Sequence, residues 1–232
     1  MPRMRDHLAD NLNRVRTEIA DACRRAGRSS NEVKFVAVTK YAELAAVRRL
    51  VELGVVDLGE SRPQQLTERA DLLSTEIQWH FIGHLQRNKV KSVLPHAMLI
   101  HSVDGLRLLE RISLVAEELS LRPRVLLEVN VSGEASKDGI SIDELRSQWD
   151  VIQTVPNVEI TGLMTMAPLA DDPETARPVF CELRQLRDEL AAQAAENVKL
   201  TELSMGMSGD FAVAIEEGAT LIRIGSRLFV EG

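Results

Sequence analysis

Short runs of apolar, mostly β-branched residues alternate along this chain with stretches in which apolar residues recur every three or four positions. The short runs predict buried strands, whereas the three-and-four spacing is typical of one face of a helix. Eight strands are predicted, over residues 33–40, 55–59, 77–82, 98–103, 125–131, 158–164, 198–203 and 221–225. Helical spacing lies between them, as in Leu44, Val47, Leu50 and Val51. This alternation predicts a parallel sheet whose crossovers are right-handed and helical.

Eight such units in about 200 residues match the count and the lower size limit of a (β/α)₈ TIM barrel. An open doubly wound sheet is the alternative. No Gly-x-Gly-x-x-Gly sequence follows the first predicted strand, however, so the usual dinucleotide reason for an open sheet is absent. The apolar stripe at positions 8, 12, 15, 19 and 23 predicts an amphipathic helix that ends at Gly27. We therefore expect one α/β domain over residues 1–232, with an N-terminal helix over 1–28 and the barrel over 33–232.

Charge and cysteine content narrow the function classes. With 28 basic against 35 acidic residues, the net charge of -7 argues against a general binder of nucleic acid or of anionic membranes. No apolar run approaches the roughly 18 residues that would span a bilayer. Cys23 and Cys181 are too few and too far apart for a disulfide framework, so a reducing compartment is expected. The N-terminus is charged where an export signal would be apolar, and we expect a cytoplasmic protein.

Polar residues concentrate where the predicted strands end, which is the face where parallel α/β proteins place their active sites. They are Lys40, Glu60, Ser61, His80, His84, His101, Asp104, Asn130, Ser132, Thr165, Ser204, Ser208, Arg223 and Ser226. Barrels often bind a phosphate between the loops after strands seven and eight, and these loops contain Gly206, Ser208, Gly225 and Ser226 here. One interpretation is a phosphate site. The other is that the glycines make turns and Ser208 caps the following helix.

Strand alternation places two cations toward the barrel interior. The period of two puts Lys40 on the same side as Val36, and Arg223 on the same side as Leu221. A lysine among apolar neighbours is held toward its neutral amine, the form that attacks a carbonyl to make a Schiff base. A solvent-facing lysine at a strand end is the alternative. For Arg223, a ligand contact and a buried ion pair with Glu128 are both open.

The histidines are less specific than these cations. His80, His84 and His101 lie near predicted strand ends and are candidates for acid or base groups, because imidazole titrates near neutral pH. Neither the spacing of the histidines nor any acidic triad is taken to indicate a metal ion. We therefore predict no metal site, and the sequence assigns no specific role to any of the three histidines.

Seven segments form a stronger pattern when they are taken together. They are Val36-Ala37-Val38-Thr39-Lys40, Gly59-Glu60-Ser61-Arg62, WHFIGHLQRNK at 79–89, VNVSGEASK at 129–137, GLMTMAP at 162–168, LSMGMS at 203–208 and Arg223-Ile224-Gly225-Ser226. In this order, and each at a predicted strand end, they resemble the pyridoxal phosphate homeostasis protein family. The resemblance covers essentially the whole chain.

The resemblance implies a single-domain barrel similar to the N-terminal domain of bacterial alanine racemase, with pyridoxal 5′-phosphate (PLP) held as a Schiff base on Lys40. It also implies that Ser208, Gly225 and Ser226 hold the phosphate of PLP, and that Arg223 lies beside the pyridine nitrogen. A permanently protonated guanidinium cannot stabilise a protonated pyridinium as a carboxylate would. The resemblance thus implies a cofactor ring that is a weaker electron sink.

One residue of the implied cofactor set departs from the family pattern. The family usually has Gly-Glu-Asn-Arg after the second strand, whereas this chain has Gly59-Glu60-Ser61-Arg62. The asparagine is expected to approach the cofactor, so we expect the shorter Ser61 to reach less far. The Schiff base and the phosphate site do not depend on this residue.

The implied function is non-enzymatic: a protein of intracellular PLP (vitamin B6) homeostasis that sequesters the aldehyde and buffers PLP or delivers it to PLP-dependent apo-enzymes. A PLP-dependent amino-acid racemase of low activity, with Lys40 and a histidine such as His80 as bases, is the first alternative. A PLP-free barrel enzyme acting on a phosphorylated metabolite is the second. The only tyrosine, Tyr41, is expected to point away from the Lys40 side and so to be a poor second base. No residues follow the eighth unit for the β domain through which racemases dimerise, and a monomer is favoured.

Overall fold

Eight parallel strands close into a barrel in the computed structural model, which describes residues 6–134, 138–196 and 198–230. The strands are β1 Lys34–Val38, β2 Asp57–Glu60, β3 Gln78–Phe81, β4 Leu99–Val103, β5 Arg124–Asn130, β6 Ile140–Ser141, β7 Glu159–Met164, β8 Glu202–Ser204 and β9 Leu221–Ile224. The two-residue β6 pairs with the end of β5, beside the ring of eight. β1 pairs with both β2 and β9, and β4 pairs with β5, so the ring has no open edge. The predicted barrel is confirmed, and the open sheet is wrong.

Helices follow most of the strands and cover the outside of the barrel. They are α1 His7–Arg25, α2 Leu44–Glu52, α3 Pro63–Leu72, α4 Val90–Val93, α5 Leu106–Leu119, α6 Ile142–Ile152, α7 Arg177–Ala192, α8 Phe211–Glu216 and α9 Ser226–Phe229. Short 3₁₀ helices cover Ser30–Glu32, Arg87–Lys89 and Pro173–Ala176. None of the helices in the described ranges is both long and apolar enough to cross a bilayer.

The predicted N-terminal helix is α1, and it belongs to the outer helical layer. Asp6 caps its first turn by accepting a hydrogen bond from a backbone amide at 3.2 Å. The helix ends just before Gly27, whose φ of 65° lies in the left-handed region that favours glycine. Its apolar stripe packs against α8 and α9, and Asn11 Nδ2 donates to the Leu228 carbonyl at 3.0 Å. These contacts hold the two ends of the described chain together.

Alternating residues of each strand separate two apolar cores. Val125, Leu127 and Val129 of β5 face the helices and belong to the large outer core, whereas Leu126 faces the barrel interior. The interior cluster consists of Val36, Leu99, Leu126, Met164 and Leu221. Burying each such side chain contributes about 1.5–3 kcal/mol. This small cluster fills one level of the barrel, and polar side chains occupy the space toward the carboxyl ends of the strands.

The predicted strands are all present, but two of them are three residues shorter than predicted. The first ends at Val38, because residues 40 and 41 form a turn. The seventh is reduced to Glu202–Ser204. There, Gly162 of β7 lies so close to β8 that an added Cβ would stand 1.9 Å from the Glu202 carbonyl oxygen. Only glycine fits that position, so the close packing of β7 against β8 explains why residue 162 is a glycine, which the sequence alone does not reveal.

Candidate functional site

A cavity of about 960 Å³ opens at the carboxyl ends of the barrel strands. Its wall contains every residue that the sequence predicts as cofactor-binding: Lys40, Ser61, Ser208, Arg223, Gly225 and Ser226. These residues follow or end β1, β2, β8 and β9, so they are brought together by barrel closure. Apolar side chains complete the wall, among them Val38, Ile82 and Met166. An apolar cavity with a few convergent polar groups is the usual form of a small-molecule site.

Lys40 reaches this cavity from the turn after β1. Val36 belongs to the interior cluster, and both Val38 and Lys40 line the cavity, as strand alternation predicts. The lysine is half-buried, and its Nζ lies 5.0 Å from the centroid of the Tyr41 ring. It forms no hydrogen bond or ion pair with any described residue. Its amine is therefore available to a ligand.

The prediction for Tyr41 is wrong. Tyr41 does not point away from the Lys40 side: it lies at the rim of the same cavity with 77% of its surface exposed. Strand alternation fails here because β1 has already ended at Val38 and the chain is turning. The Arg62 guanidinium carbon lies 5.9 Å from the centroid of the same ring.

Three buried residues, Thr39, Glu60 and Arg69, hold the turn that carries Lys40, and we call them the Lys40 clamp. Arg69 of α3 donates to the Thr39 carbonyl at 2.9 Å and to the Ala42 carbonyl at 2.5 Å, on both sides of Lys40. Both Arg69 and the Thr39 hydroxyl donate to Glu60 Oε1. Burial raises the pKa of Glu60, while these two donors stabilise its carboxylate. The clamp lies outside the strand ring, between the barrel and α3.

The loops after β8 and β9 converge at the predicted phosphate site. The Gly225 amide donates to Ser208 Oγ at 3.3 Å, so the two loops touch. Gly206 has a φ of 91°, and an added Cβ would stand 2.5 Å from the Ala214 Cβ. The interpretation of Ser208 as a helix cap is wrong, because the N-cap of α8 is Asp210. Asp210 Oδ1 instead accepts from the Met207 amide at 2.6 Å and braces the loop.

Arg223 of β9 is buried at the floor of the cavity. It donates to Ser204 Oγ at 2.5 Å and to the Thr165 carbonyl at 3.0 Å. Burial lowers its pKa to about 10, partly offset by Glu128 and Asp210, so the guanidinium stays charged at neutral pH. No ion pair joins Arg223 to Glu128 in the described part of the chain. The interpretation of Arg223 as the partner of Glu128 in a buried ion pair is therefore wrong, and Arg223 lies in the cavity wall.

None of the three candidate histidines is among the described residues that form the wall of this cavity. His80 and His101 are fully buried inside the barrel, and their Nδ1 and Nε2 atoms, respectively, lie 2.8 Å apart. Neither is among the described residues that line the cavity, so the structure does not place His80 beside Lys40 in the cavity wall. His84 is half exposed, lines a smaller cleft of about 300 Å³, and lies 3.4 Å from an Asp104 carboxylate oxygen. Strand alternation alone would have placed His80 and His101 inside the barrel, but not in contact.

Comparison with known proteins identifies the family. The model of the family described as "Alanine racemase, N-terminal domain" matches residues 5–231. A pyridoxal phosphate homeostasis protein from Aquifex aeolicus is 43% identical over 97% of this chain and 98% of that protein. One from Pseudomonas aeruginosa is 38% identical over 96% of this chain and 94% of that protein. This chain belongs to the pyridoxal phosphate homeostasis protein family.

Solved structures of similar fold include a PLP-binding protein and an alanine racemase. The structure of PipY of Synechococcus elongatus with PLP bound is 33% identical in sequence, with a TM-score of 0.84, and the match covers 96% of this chain and 100% of PipY. An alanine racemase from Clostridium difficile in complex with cycloserine has a TM-score of 0.78 at 16% identity, over 98% of this chain and 60% of the racemase. At 16% identity, the similarity to the racemase shows a shared fold only, and it confirms the expected alanine racemase-like barrel.

Proposed function

We propose that this chain binds PLP in the main cavity, holds it as a Schiff base on Lys40, and buffers or delivers it within the cell. Membership of the pyridoxal phosphate homeostasis family and the PLP-bound PipY structure support the cofactor. The observation that carries the assignment is the convergence of Lys40, Arg223 and the Ser208–Gly225 loop pair on one cavity. These groups match an aldehyde, a pyridine nitrogen and a phosphate, respectively.

Lys40 supplies the nucleophile in this proposal. Its neutral amine attacks the aldehyde carbon of PLP, the carbonyl oxygen leaves as water, and a carbon–nitrogen double bond remains. The lysine is half-buried, and no described residue competes for its nitrogen. The Lys40 clamp fixes the carbonyls on both sides of the turn, so the amine is presented from a rigid support.

The opposite wall fits the phosphate. Ser208 and Ser226 offer hydroxyls and Ser226 also offers a backbone amide, which are donors that phosphate groups favour in barrels, while the Gly225 amide donates to Ser208 Oγ and holds the two loops together. A Cβ on Gly225 would stand 3.2 Å from the Val38 Cβ, so glycine is favoured where the loop passes the strand. Because α8 and α9 are short, we assign the phosphate to loop amides and hydroxyls rather than to a helix dipole.

Arg223 and Ser61 complete the proposed contacts. Arg223 stays protonated and has only donors, so it gives a hydrogen bond to an unprotonated ring nitrogen. Bound PLP supplies an aldehyde and an electron-withdrawing ring, and this arrangement leaves the ring a weak electron sink. Ser61 lines the cavity with a hydroxyl shorter than the family's usual asparagine. Its contact is the smallest of the set.

A carrier fits the remaining cavity residues better than a racemase does. The other described titratable side chains in the wall are Tyr41, Asp172, Asp210 and Arg227. Asp210 braces its own loop, Asp172 caps the 3₁₀ helix that begins at Pro173, and Tyr41 is exposed at the rim. None of these described carboxylates or the Tyr41 phenol is therefore both buried and free to act as a second base. The relatives are likewise named for PLP homeostasis.

An absorbance titration with PLP tests the cofactor site. The wild-type protein should develop the visible band of a PLP Schiff base, and Lys40→Ala should lose it. Lys34→Ala is the matched control, because Lys34 lies on the same strand but is exposed at the amino end of the barrel. We expect this control to keep the band. A band that survives in Lys40→Ala contradicts the assignment, and no band in the wild type returns the PLP-free barrel enzyme to first place.

Chiral chromatography of amino acids incubated with the PLP-loaded protein tests the carrier role. We expect L-alanine and L-serine to remain unchanged at any rate above that of free PLP. Saturable formation of the D-amino acid that disappears in Lys40→Ala would contradict the carrier role and support the racemase.

A further inference from the structure

We propose that Asp57, His80, His101 and Ser204 form a hydrogen-bond chain through the barrel interior, and that this chain positions Arg223 against the ring nitrogen of the cofactor. We call these four residues the histidine chain. The inference rests on the proposed function, because it assigns a task to residues behind the PLP site. None of the four lines the cavity. They are therefore positioning residues that act through Arg223.

The histidine chain runs without a break from the amino end of β2 to the cavity floor. Asp57 Oδ1 lies 3.0 Å from His80 Nε2, and His80 Nδ1 lies 2.8 Å from His101 Nε2. His101 Nδ1 lies 2.8 Å from Ser204 Oγ, which accepts from Arg223 at 2.5 Å. The first three residues lie on β2, β3 and β4, and the serine lies on β8 across the barrel. Only a closed barrel brings these strands together.

The two ends of the histidine chain determine the direction of every hydrogen bond in it. Arg223 has only donors and an ionised Asp57 has only acceptors, so each bond donates from the arginine end toward the aspartate end. Ser204 accepts from Arg223 and donates to His101 Nδ1. Each histidine is then protonated on Nε2: His101 donates to His80, and His80 donates to Asp57. Each hydrogen-bonding atom named in the histidine chain then has a partner. None of these atoms is among the buried side-chain atoms of the described residues that lack one.

The reverse direction is less favourable on physical grounds. It requires a proton on His80 Nδ1 and another on His101 Nδ1, so that Ser204 Oγ accepts from both His101 and Arg223. The Ser204 proton then has no acceptor among the described residues, and a buried unpaired donor costs about 1–3 kcal/mol. A protonated His80 would also add a second buried positive charge behind Arg223. Burial and these neighbouring charges lower the pKa of His101, which keeps it neutral.

The direction of these hydrogen bonds orients the Arg223 guanidinium at the cavity floor. Because the Ser204 proton is engaged by His101, Ser204 presents only an acceptor to Arg223. The Thr165 carbonyl holds the second nitrogen of the guanidinium at 3.0 Å. The plane of the guanidinium is thereby set, and its remaining N–H groups are available to a ligand in the cavity. Glu128 and Asp210 are the other charged groups near Arg223, and neither forms an ion pair with it in the described ranges.

Histidine ¹⁵N NMR of the PLP-free protein tests the direction independently of the cofactor. We expect both His80 and His101 to be neutral Nε2–H tautomers at neutral pH. A doubly protonated His80, or an Nδ1–H tautomer at either histidine, overturns the proposal. Asp57→Asn keeps an acceptor oxygen of the same shape and should preserve both tautomers.

The spectrum of the PLP-loaded protein tests the link to Arg223. Ser204→Ala should still form the Schiff base, because Lys40 is untouched, but with a shifted absorption band and about tenfold weaker PLP retention. Asp57→Leu should shift the band in the same direction, and Asp57→Asn should restore it; these two variants decide the question if Ser204→Ala does not fold. Wild-type bands and retention in both Ser204→Ala and Asp57→Leu overturn the proposal. A wild-type protein that binds no PLP at all overturns the proposed function instead, while the tautomer result still judges the direction.

Discussion

Two buried polar systems flank the cavity, and they stabilise charge in different ways. The Lys40 clamp lies outside the strand ring and contains an ion pair, because Arg69 of α3 supplies a cation against Glu60. The histidine chain lies inside the ring, consists of strand residues alone, and links its terminal charges through neutral imidazoles. The Lys40 clamp holds the backbone turn that carries Lys40, whereas the histidine chain orients the side chain of Arg223. Ionised groups are thus paired directly where a helix supplies the partner and relayed where only strands do.

Substitutions in the Lys40 clamp and in the histidine chain should lower the free energy of unfolding by different amounts. Removing one partner of a buried ion pair leaves an uncompensated charge and costs about 3–5 kcal/mol. Removing one neutral hydrogen-bond partner leaves an unsatisfied polar group and costs about 1–3 kcal/mol. Clamp variants should therefore lower stability most, and variants of the cavity loops should change cofactor affinity with little change in stability.

The largest effect is expected for Arg69→Ala. It leaves Glu60 buried without its cation, so the free energy of unfolding should fall by about 3–5 kcal/mol, measured by urea unfolding. The double variant Glu60→Leu, Arg69→Met removes both charges and should lose less than Arg69→Ala alone. A loss under about 1 kcal/mol in Arg69→Ala would show that the clamp does not pair a buried charge.

A smaller, pH-dependent effect is expected at Glu128, which faces the barrel interior with no hydrogen bond or ion pair to any described residue. Burial, followed by the charge of Asp138, raises its pKa from the ordinary 4.5 to about 7. The folded protein therefore binds this proton more tightly than the unfolded chain does. Stability contributed by the protonated form is lost as pH rises from the unfolded pKa toward 7.

Replacing Glu128 with glutamine should remove this loss. Relative to wild type, Glu128→Gln should gain up to about 3 kcal/mol of unfolding free energy between about pH 5 and about pH 8. Glu110→Gln, at an exposed position on α5, is the control and should show a difference that does not vary with pH. Parallel curves of unfolding free energy against pH for wild type and Glu128→Gln would contradict the prediction that burial of Glu128 raises its pKa.

The smallest effect is expected for Ser208→Ala. It removes one hydroxyl donor from the proposed phosphate site, so the dissociation constant for PLP should rise about tenfold while the urea midpoint stays unchanged. Ser147→Ala on the exposed face of α6 should change neither quantity. If Ser208→Ala lowers stability as much as affinity, the residue supports the loop rather than the ligand.

The sequence alone predicts the fold and the inward-facing cations, because both follow from local periodicity. Alternation every two residues places Lys40 beside Val36, and Arg223 beside Leu221, and the structure has both pairs on the interior side. The count of eight strand-helix units predicts closure. All six predicted cofactor residues line one cavity for these reasons.

Other features depend on contacts that no local pattern encodes. Tyr41 faces the cavity rim because the Arg69 side chain, 28 residues further along the chain, holds the turn by the carbonyls that flank Lys40 and Tyr41. His101 meets Ser204 across 103 residues, a contact that exists only because the barrel closes. The roles of these side chains therefore follow from the tertiary structure, and the sequence shows only that they are polar residues near strand ends.

Borohydride reduction of the protein incubated with PLP, followed by peptide mass mapping, tests the central claim most directly, because reduction fixes an imine to the lysine that formed it. The chain has six lysines, so the adduct can be assigned without ambiguity. A phosphopyridoxyl group mainly on Lys40, and unchanged in Lys34→Ala, is the predicted result. An adduct mainly on another lysine, labelling scattered over several lysines, or no adduct would contradict the account.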